Sequence, residues 1–188
     1  YADLPSGNRS RSCVGEFADA VNRSSWGEKP TWMVLQNWGL SEAGGKPENS
    51  TRPRPSKKEL RFMAWNAITH GSTGLAWHGE GNKSGFGGND DFYSEYWQGF
   101  ADVQKEIKAV MERFMGLYGN DIPTGKQDTA LRVLARSNGN ESVIISVNED
   151  GKADHKFILP LDGKFYLSPS GEEISTKEIM LKPYEVLI

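Results

Sequence analysis

The predicted fold centres on KPTWMVLQNWG at residues 29–39, RPRPSKKELRFMAWNAITHG at 52–71 and STGLAWHGEG at 72–81. The first segment contains an almost unbroken apolar run, Thr31 to Leu35, which is typical of a strand buried on both faces. The third contains a second short apolar run, Thr73 to Trp77. Between them, apolar residues recur with helical spacing. The sequence therefore predicts the order strand, helix, strand.

The predicted helix carries its own start and stop signals. Ser56 and Glu59 form a capping box, and Gly71 follows the last apolar position. A helix of this length between two strands predicts a βαβ unit with parallel strands and a right-handed crossover. Ligands of such units bind at the carboxyl ends of the strands. Those ends carry Gln36, Asn37 and Trp38 in the first strand, and Trp77, His78 and Glu80 in the second.

Two long polar segments, 39–55 and 79–91, leave the predicted strands at these same ends. Loops of this length are uncommon unless they are functional or mobile. Two of them at one edge of a parallel sheet predict a substrate cleft. The alternative is that both are surface insertions without a functional role.

The rest of the chain predicts a helix on either side of this unit and a β-rich C-terminal part. Apolar residues recur with helical spacing from Val14 to Val21 and, over a longer range, from Trp97 to Leu117. From Thr129 onward the pattern changes to short strands separated by turn signals such as Asn138-Gly139. His155 is a lone histidine in a polar turn region, where a surface position is expected.

The composition is that of an ordinary soluble globular protein. The 188 residues are 37% hydrophobic and 25% charged, with a net charge of −3. The basic residues Arg52, Arg54, Lys57 and Lys58 are interpreted as solvated surface, so nucleic acid is not an expected partner. No apolar run approaches the roughly 20 residues of a membrane helix, so no membrane partner is expected. With Cys13 as the one cysteine, we expect neither a disulfide framework nor a metal-cysteine cluster.

No metal is expected, because the sequence shows no metal-ligand cluster, and no cofactor is expected, because no phosphate-binding glycine motif follows a strand. The first ten residues contain no apolar segment of a signal peptide. Any secretion signal has therefore been removed or lies outside this sequence. A secreted or periplasmic location is favoured over others.

Taken together, these segments resemble the C-terminal portion of a (β/α)8-barrel glycoside hydrolase. The resemblance is carried by PTWMVLQNW, KKELRFMAWNAITHG, TGLAWHG and the closing PYEVLI. It implies an α/β fold, in which residues 1–119 form part of a TIM barrel from helix six to helix eight. Residues 120–128 would be a linker, and 129–188 a small antiparallel β-sandwich domain. A complete barrel takes about 250 residues, so the missing N-terminal barrel half is expected from the same polypeptide or from a partner chain.

The resemblance also implies that the chain is a segment of a glycoside hydrolase that acts on a carbohydrate. Its sugar subsite would lie at the ends of barrel strands seven and eight. Such enzymes use two carboxylates about 5 Å apart, and in the family the nucleophilic Glu ends strand seven. This sequence has Gln36 there, and an amide cannot be the nucleophile. Glu80 is the nearest carboxylate and becomes the candidate catalytic residue. The substrate-binding candidates are Gln36, Trp38, Trp77, His78 and Asp3, with Trp77 as the stacking floor.

Two other functions stay open. A non-catalytic carbohydrate-binding relative would keep the aromatic residues without the strand-seven carboxylate. A structural or interaction module would dock a partner through its β-domain, and replacing Trp77 by Ala would then change no ligand affinity. Individual candidates also have non-functional interpretations: Glu80 as a solvated loop acid, and Trp38 and Trp77 as buried packing at the top of the barrel.

Overall fold

The computed structural model describes residues 11–26, 28–37, 55–78, 91–117 and 119–188. The chain divides into two compact units, residues 1–103 and 104–188. The elements of the first unit are α1 (Cys13–Ser24), β1 (Trp32–Gln36), α2 (Lys57–Thr69) and β2 (Gly74–His78). Helix α3 (Asp91–Gly116) begins in the first unit and ends in the second. The domain limits expected at 119 and 129 stay a prediction.

Strands β1 and β2 pair in parallel, as the strand-helix-strand pattern predicts. Each strand begins one residue later than its apolar run, at Trp32 and at Gly74. The two preceding residues, Thr31 and Thr73, are hydrogen-bonded to each other. The backbone N–H of Thr31 donates to Thr73 Oγ1 over 2.9 Å, and that hydroxyl donates to Thr31 O over 3.1 Å. These contacts tie together the amino ends of the two strands.

Helix α2 has the predicted capping box. The backbone N–H of Glu59 donates to Ser56 Oγ over 3.3 Å, and Glu59 Oε2 accepts the N–H of Ser56 over 2.7 Å. Gly71 follows the helix at φ +89°, a left-handed conformation that favours glycine. The helix is buried beyond its predicted apolar face, since Phe62, Trp65 and Asn66 are each 0% exposed.

Polar contacts join α1 to α2 and to the start of β1. Asn66 Oδ1 accepts the backbone N–H of Gly15 over 2.7 Å inside the protein. Asn22 Nδ2 donates to the carbonyl of His70 over 2.6 Å, and Asn22 Oδ1 accepts the hydroxyl of Thr31 over 2.7 Å. Because buried polar groups are costly unless they are hydrogen-bonded, these pairs fix how α1 packs on the βαβ unit.

The second unit is built from short antiparallel pairs. Strand β4 lies between β3 and β9, while β5 pairs with β8 and β6 with β7. The strands are β3 (Leu131–Ser137), β4 (Ser142–Asn148), β5 (His155–Ile158), β6 (Phe165–Tyr166), β7 (Glu173–Ile174), β8 (Glu178–Leu181) and β9 (Val186–Leu187). Strands β6, β7 and β9 have only two residues each.

One apolar core serves both the β3–β4 pair and the β5–β8 pair. Its buried residues are Leu131, Ala135, Ile144, Phe157, Leu159 and Leu181. Asn138-Gly139 lies in the turn between β3 and β4, as predicted. The turn has four residues, 138–141, where the Asn-Gly signal predicts two, since Ser137 pairs with Ser142. Helices and strands are thus mixed in the chain, which is compatible with an α/β fold. The partial barrel and the β-sandwich themselves stay predictions.

Candidate functional site

The predicted ligand edge lies where β1 and β2 end. Gln36, the last residue of β1, stands opposite His78, the last residue of β2. The next residue continues the pairing, because the N–H of Asn37 donates to the carbonyl of His78 over 2.8 Å. Neighbouring positions of paired strands lie about 4.8 Å apart with their side chains on the same face. The fold therefore brings Gln36 and His78 together.

The two side chains differ in exposure and complement each other chemically. Gln36 is 1% exposed, whereas His78 is exposed. The Gln36 amide has two N–H donors and one carbonyl acceptor, and a neutral imidazole has one donor and one acceptor. Both side chains can therefore donate and accept hydrogen bonds. Neither is a carboxylate.

Trp77 lies on the other face of the strand pair, together with its register partner Leu35. Its ring meets Phe100 of α3 edge-on, with centroids 5.3 Å apart and an interplanar angle of 84°. Its Nε1 is buried and has no hydrogen-bond partner among the described residues. The structure thus separates Trp77 from the Gln36–His78 face. Its role as a sugar-stacking floor stays a prediction.

Three of the predicted site residues lie outside the described part of the chain. They are Glu80, the candidate catalytic residue, and the substrate-binding candidates Trp38 and Asp3. Within the described ranges, no group of three or more His, Cys, Asp or Glu side chains is arranged to hold a metal ion. None of the helices in those ranges has the length and apolarity that a membrane span requires.

The second unit contains a charged cluster that sequence reasoning missed. His155, expected at the surface, has a side chain that is 18% exposed and lies between two carboxylates. Its Nδ1 is 2.9 Å from Asp128 Oδ2, and its Nε2 is 3.0 Å from Asp150 Oδ2. Asp150 could be suspected from its place one short turn before β5. Asp128 could not, because only folding brings it near His155.

The hydrogen bonds within this cluster shift the pKa of all three groups. The bond to Asp150, and then that to Asp128, raises the pKa of His155 above 6.5. The backbone N–H of Ala130, followed by His155, lowers the pKa of Asp128 below 3.8. His155, followed by the backbone N–H of Lys152, lowers the pKa of Asp150 below 3.8. The arrangement therefore favours a charged histidine between charged carboxylates.

A cleft of about 1090 Å³ also lies in the second unit. Its lining includes Val110 and Arg113 of α3, and Phe165 and Tyr166 of β6. Neither Gln36 nor His78 belongs to it. Its lining residues all belong to the second unit.

Comparison with known proteins gives a distant likeness of fold. No protein-family model matches the sequence, and no curated protein does either. Among solved structures, the chain is similar to a glycoside hydrolase family 5 protein from Bacteroides vulgatus, with 15% identity and a TM-score of 0.47. The match covers 100% of this chain and 46% of that one, so the chain spans less than half the length of this neighbour. At this TM-score the likeness supports no conclusion about activity.

Proposed function

We propose that the chain is a segment of a glycoside hydrolase, and that the carboxyl ends of β1 and β2 line its sugar subsite. The observation that carries this proposal is the register pairing of Gln36 with His78 at the ends of parallel strands. In open and closed parallel sheets alike, ligands bind beyond the carboxyl ends of the strands.

The chemistry of the pair suits a sugar. A pyranose ring presents adjacent hydroxyl groups, and each of them both donates and accepts. An amide and an imidazole side by side offer donors and acceptors without adding a formal charge. A site built to hydrogen-bond a hydroxyl group also rejects analogues that lack it. We therefore assign Gln36 and His78 to the recognition of sugar hydroxyls.

The hydrolytic carboxylates must come from other positions, because Gln36 is an amide. Glu80 is proposed as the contribution of this chain, since it follows β2 by two residues. A retaining mechanism requires a second carboxylate about 5 Å away. We propose that the missing N-terminal barrel half supplies it, either within the same polypeptide or from a partner chain.

The amide at Gln36 itself favours a second candidate function. A carbohydrate-binding relative without hydrolytic activity would keep polar groups at the strand ends and lose the carboxylate. Such a protein would bind the same sugars and release no product. The hydrolase and the binding relative would therefore both bind sugars, and only the hydrolase would turn them over.

The test uses the polypeptide that carries this segment and a panel of aryl glycosides. We expect Gln36→Ala and His78→Ala each to weaken sugar binding about tenfold, because each leaves a hydroxyl without its partner. Glu80→Gln should abolish turnover while binding remains. The matched amide control is Gln98→Ala, an exposed residue of α3 bonded to Asp102, which should change neither quantity.

Each result separates the candidates. Binding without turnover in the unsubstituted polypeptide would replace the hydrolase by the binding relative. Turnover that survives Glu80→Gln would remove Glu80 from the mechanism. The proposed sugar subsite would be wrong if no sugar binds, or if Gln36→Ala leaves sugar affinity as unchanged as Gln98→Ala does.

A further inference from the structure

His155 joins three separate segments of the second unit. It is the first residue of β5, Asp128 lies in the segment before β3, and Asp150 lies in the turn after β4. With the N–O distances of 2.9 and 3.0 Å given above, both ring nitrogens are engaged at once. The imidazole is thus the common partner of two carboxylates that are 22 residues apart in sequence, from 128 to 150.

Both carboxylates are oriented by their own backbone. Asp128 Oδ1 accepts the N–H of Ala130 over 3.0 Å, and Asp150 Oδ1 accepts the N–H of Lys152 over 2.7 Å. In each residue the other oxygen, Oδ2, faces the histidine. The N–H of Asp150 also donates to the side chain of buried Asn148 over 2.9 Å. The carboxylates are therefore held in position before the imidazole contributes.

The proton count of the ring decides whether both contacts are favourable. An imidazolium has two N–H donors, one for each carboxylate, whereas a neutral imidazole has a single N–H. After loss of the proton, one ring nitrogen would direct its lone pair at a carboxylate oxygen. One of the two contacts then becomes repulsive.

We propose that His155 is a proton-dependent clamp of the C-terminal β-module, residues 120–188, which holds this module closed while its imidazole is protonated and loosens it when that proton is lost. As an imidazolium it holds the segment before β3 and the turn after β4 against β5. Loss of its proton frees one of these segments. The clamp is independent of the proposed sugar subsite, which lies in the first unit.

The sign of the pH dependence follows from the pKa shifts. The pKa of His155 is raised above 6.5 in the folded protein. Its stabilisation is therefore complete below about pH 6.5 and is lost as the pH rises through the folded-state pKa. The pKa values of Asp128 and Asp150 are lowered from 3.8. Their stabilisation is present above that value and is lost as the pH falls through the folded-state values.

Other charged groups near His155 lie just after β8 and in the turn after β4. Leu181 of β8 is the ladder partner of His155, and Lys182 follows it. The N–H of Lys182 donates to Glu185 Oε2 over 2.7 Å. The turn after β4 adds Glu149, Lys152 and Asp154, and the phenol of Tyr184 lies beside Gly151. The charged groups that shift the pKa of His155 are Asp128 and Asp150.

The first measurement is a histidine titration of the full chain by NMR. The chain has three histidines, His70, His78 and His155, so long-range proton–nitrogen spectra can follow each ring from about pH 5 to about pH 10. We expect His155 to titrate above 6.5, with both ring nitrogens protonated on the acidic side of its titration. A value for His155 at or below 6.5 would overturn the clamp.

The second measurement compares amide exchange in β4 and β5 between the unsubstituted chain and His155→Gln. At about pH 6 we expect roughly fivefold greater protection in the unsubstituted chain, and this ratio should fall toward one as His155 loses its proton. The matched control is Lys156→Gln, the next residue of β5, which removes an exposed ion pair with Glu178 of β8. The ratio of amide protection between the unsubstituted chain and Lys156→Gln should not change as His155 loses its proton.

Two further variants cover the case in which His155→Gln does not fold. Asp128→Asn and Asp150→Asn each remove one carboxylate from the ring, and each should lower the pKa of His155. If neither variant shifts that pKa, or if the protection ratio of His155→Gln is independent of pH, the clamp does not exist.

Discussion

Gly15 lies where α1 closely approaches α2, because its backbone N–H donates to Asn66 Oδ1. A Cβ atom there would lie 2.5 Å from His70 Nε2 and 2.9 Å from Asn66 Oδ1. His70 cannot move without cost, because its Nδ1 lies 2.9 Å from Asp19 Oδ1. Replacing a glycine inside a helix by alanine usually stabilises the protein by about 1 kcal/mol. At this position we expect the substitution to destabilise it.

We expect Gly15→Ala to lower the free energy of unfolding by about 1–3 kcal/mol through overpacking. The control is Glu16→Ala at the neighbouring, exposed position of α1, where no side-chain volume is added. All six tryptophans precede residue 104, so urea denaturation followed by tryptophan fluorescence reports on the first unit. A Gly15→Ala protein as stable as the unsubstituted chain would show that the helices can move apart.

At the scale of elements, the start of α2 is set by local chemistry. Ser56 and Glu59 satisfy each other's backbone N–H groups, and Arg11 forms an ion pair with Glu59. The helix then carries nine buried residues from Leu60 to Thr69. The cap therefore fixes where a largely buried helix begins, while burial supplies most of its stability.

Ser56→Ala should destabilise the first unit by about 1 kcal/mol, because it removes one half of the capping box. Lys58→Ala is the comparison, since Lys58 is exposed in the same turn. Urea midpoints from tryptophan fluorescence measure both. Equal midpoints for the two variants would mean that the capping box adds nothing to α2.

At the scale of the whole molecule, the β1–β2 pair is the smallest possible sheet. Within the described ranges, each strand has the other as its one neighbour. Isolated two-stranded sheets are marginally stable, and parallel strands are normally covered on both faces. Trp32, which lies over Gly74, is 68% exposed. These features agree with the proposal that further strands come from elsewhere.

We expect the tryptophan transition of the 188-residue chain by itself to have a lower urea midpoint than that of a polypeptide extended upstream, because the added strands would cover β1 and β2. Light scattering beside the denaturation curve identifies the species present. A 20.9 kDa monomer that is as stable as the extended polypeptide would contradict the half-barrel and point to a self-sufficient α+β domain.

The sequence by itself determined the elements whose causes are local. The capping box of α2, the Asn138-Gly139 turn and the parallel order of β1 and β2 follow from neighbouring residues and from the length of the connection. The candidate pair was predictable for the same reason, because Gln36 is the last residue of β1, His78 is the last residue of β2, and the two strands belong to one βαβ unit.

Only the tertiary structure decided which side chains meet across long sequence separations. It placed Trp77 against Phe100, on the face opposite Gln36, because strand alternation and register together set direction. It also brought Asp128 and Asp150 to His155, which the sequence presents as a lone histidine. Spacing along a chain carries information about neighbours within an element, whereas contacts between elements depend on how those elements pack.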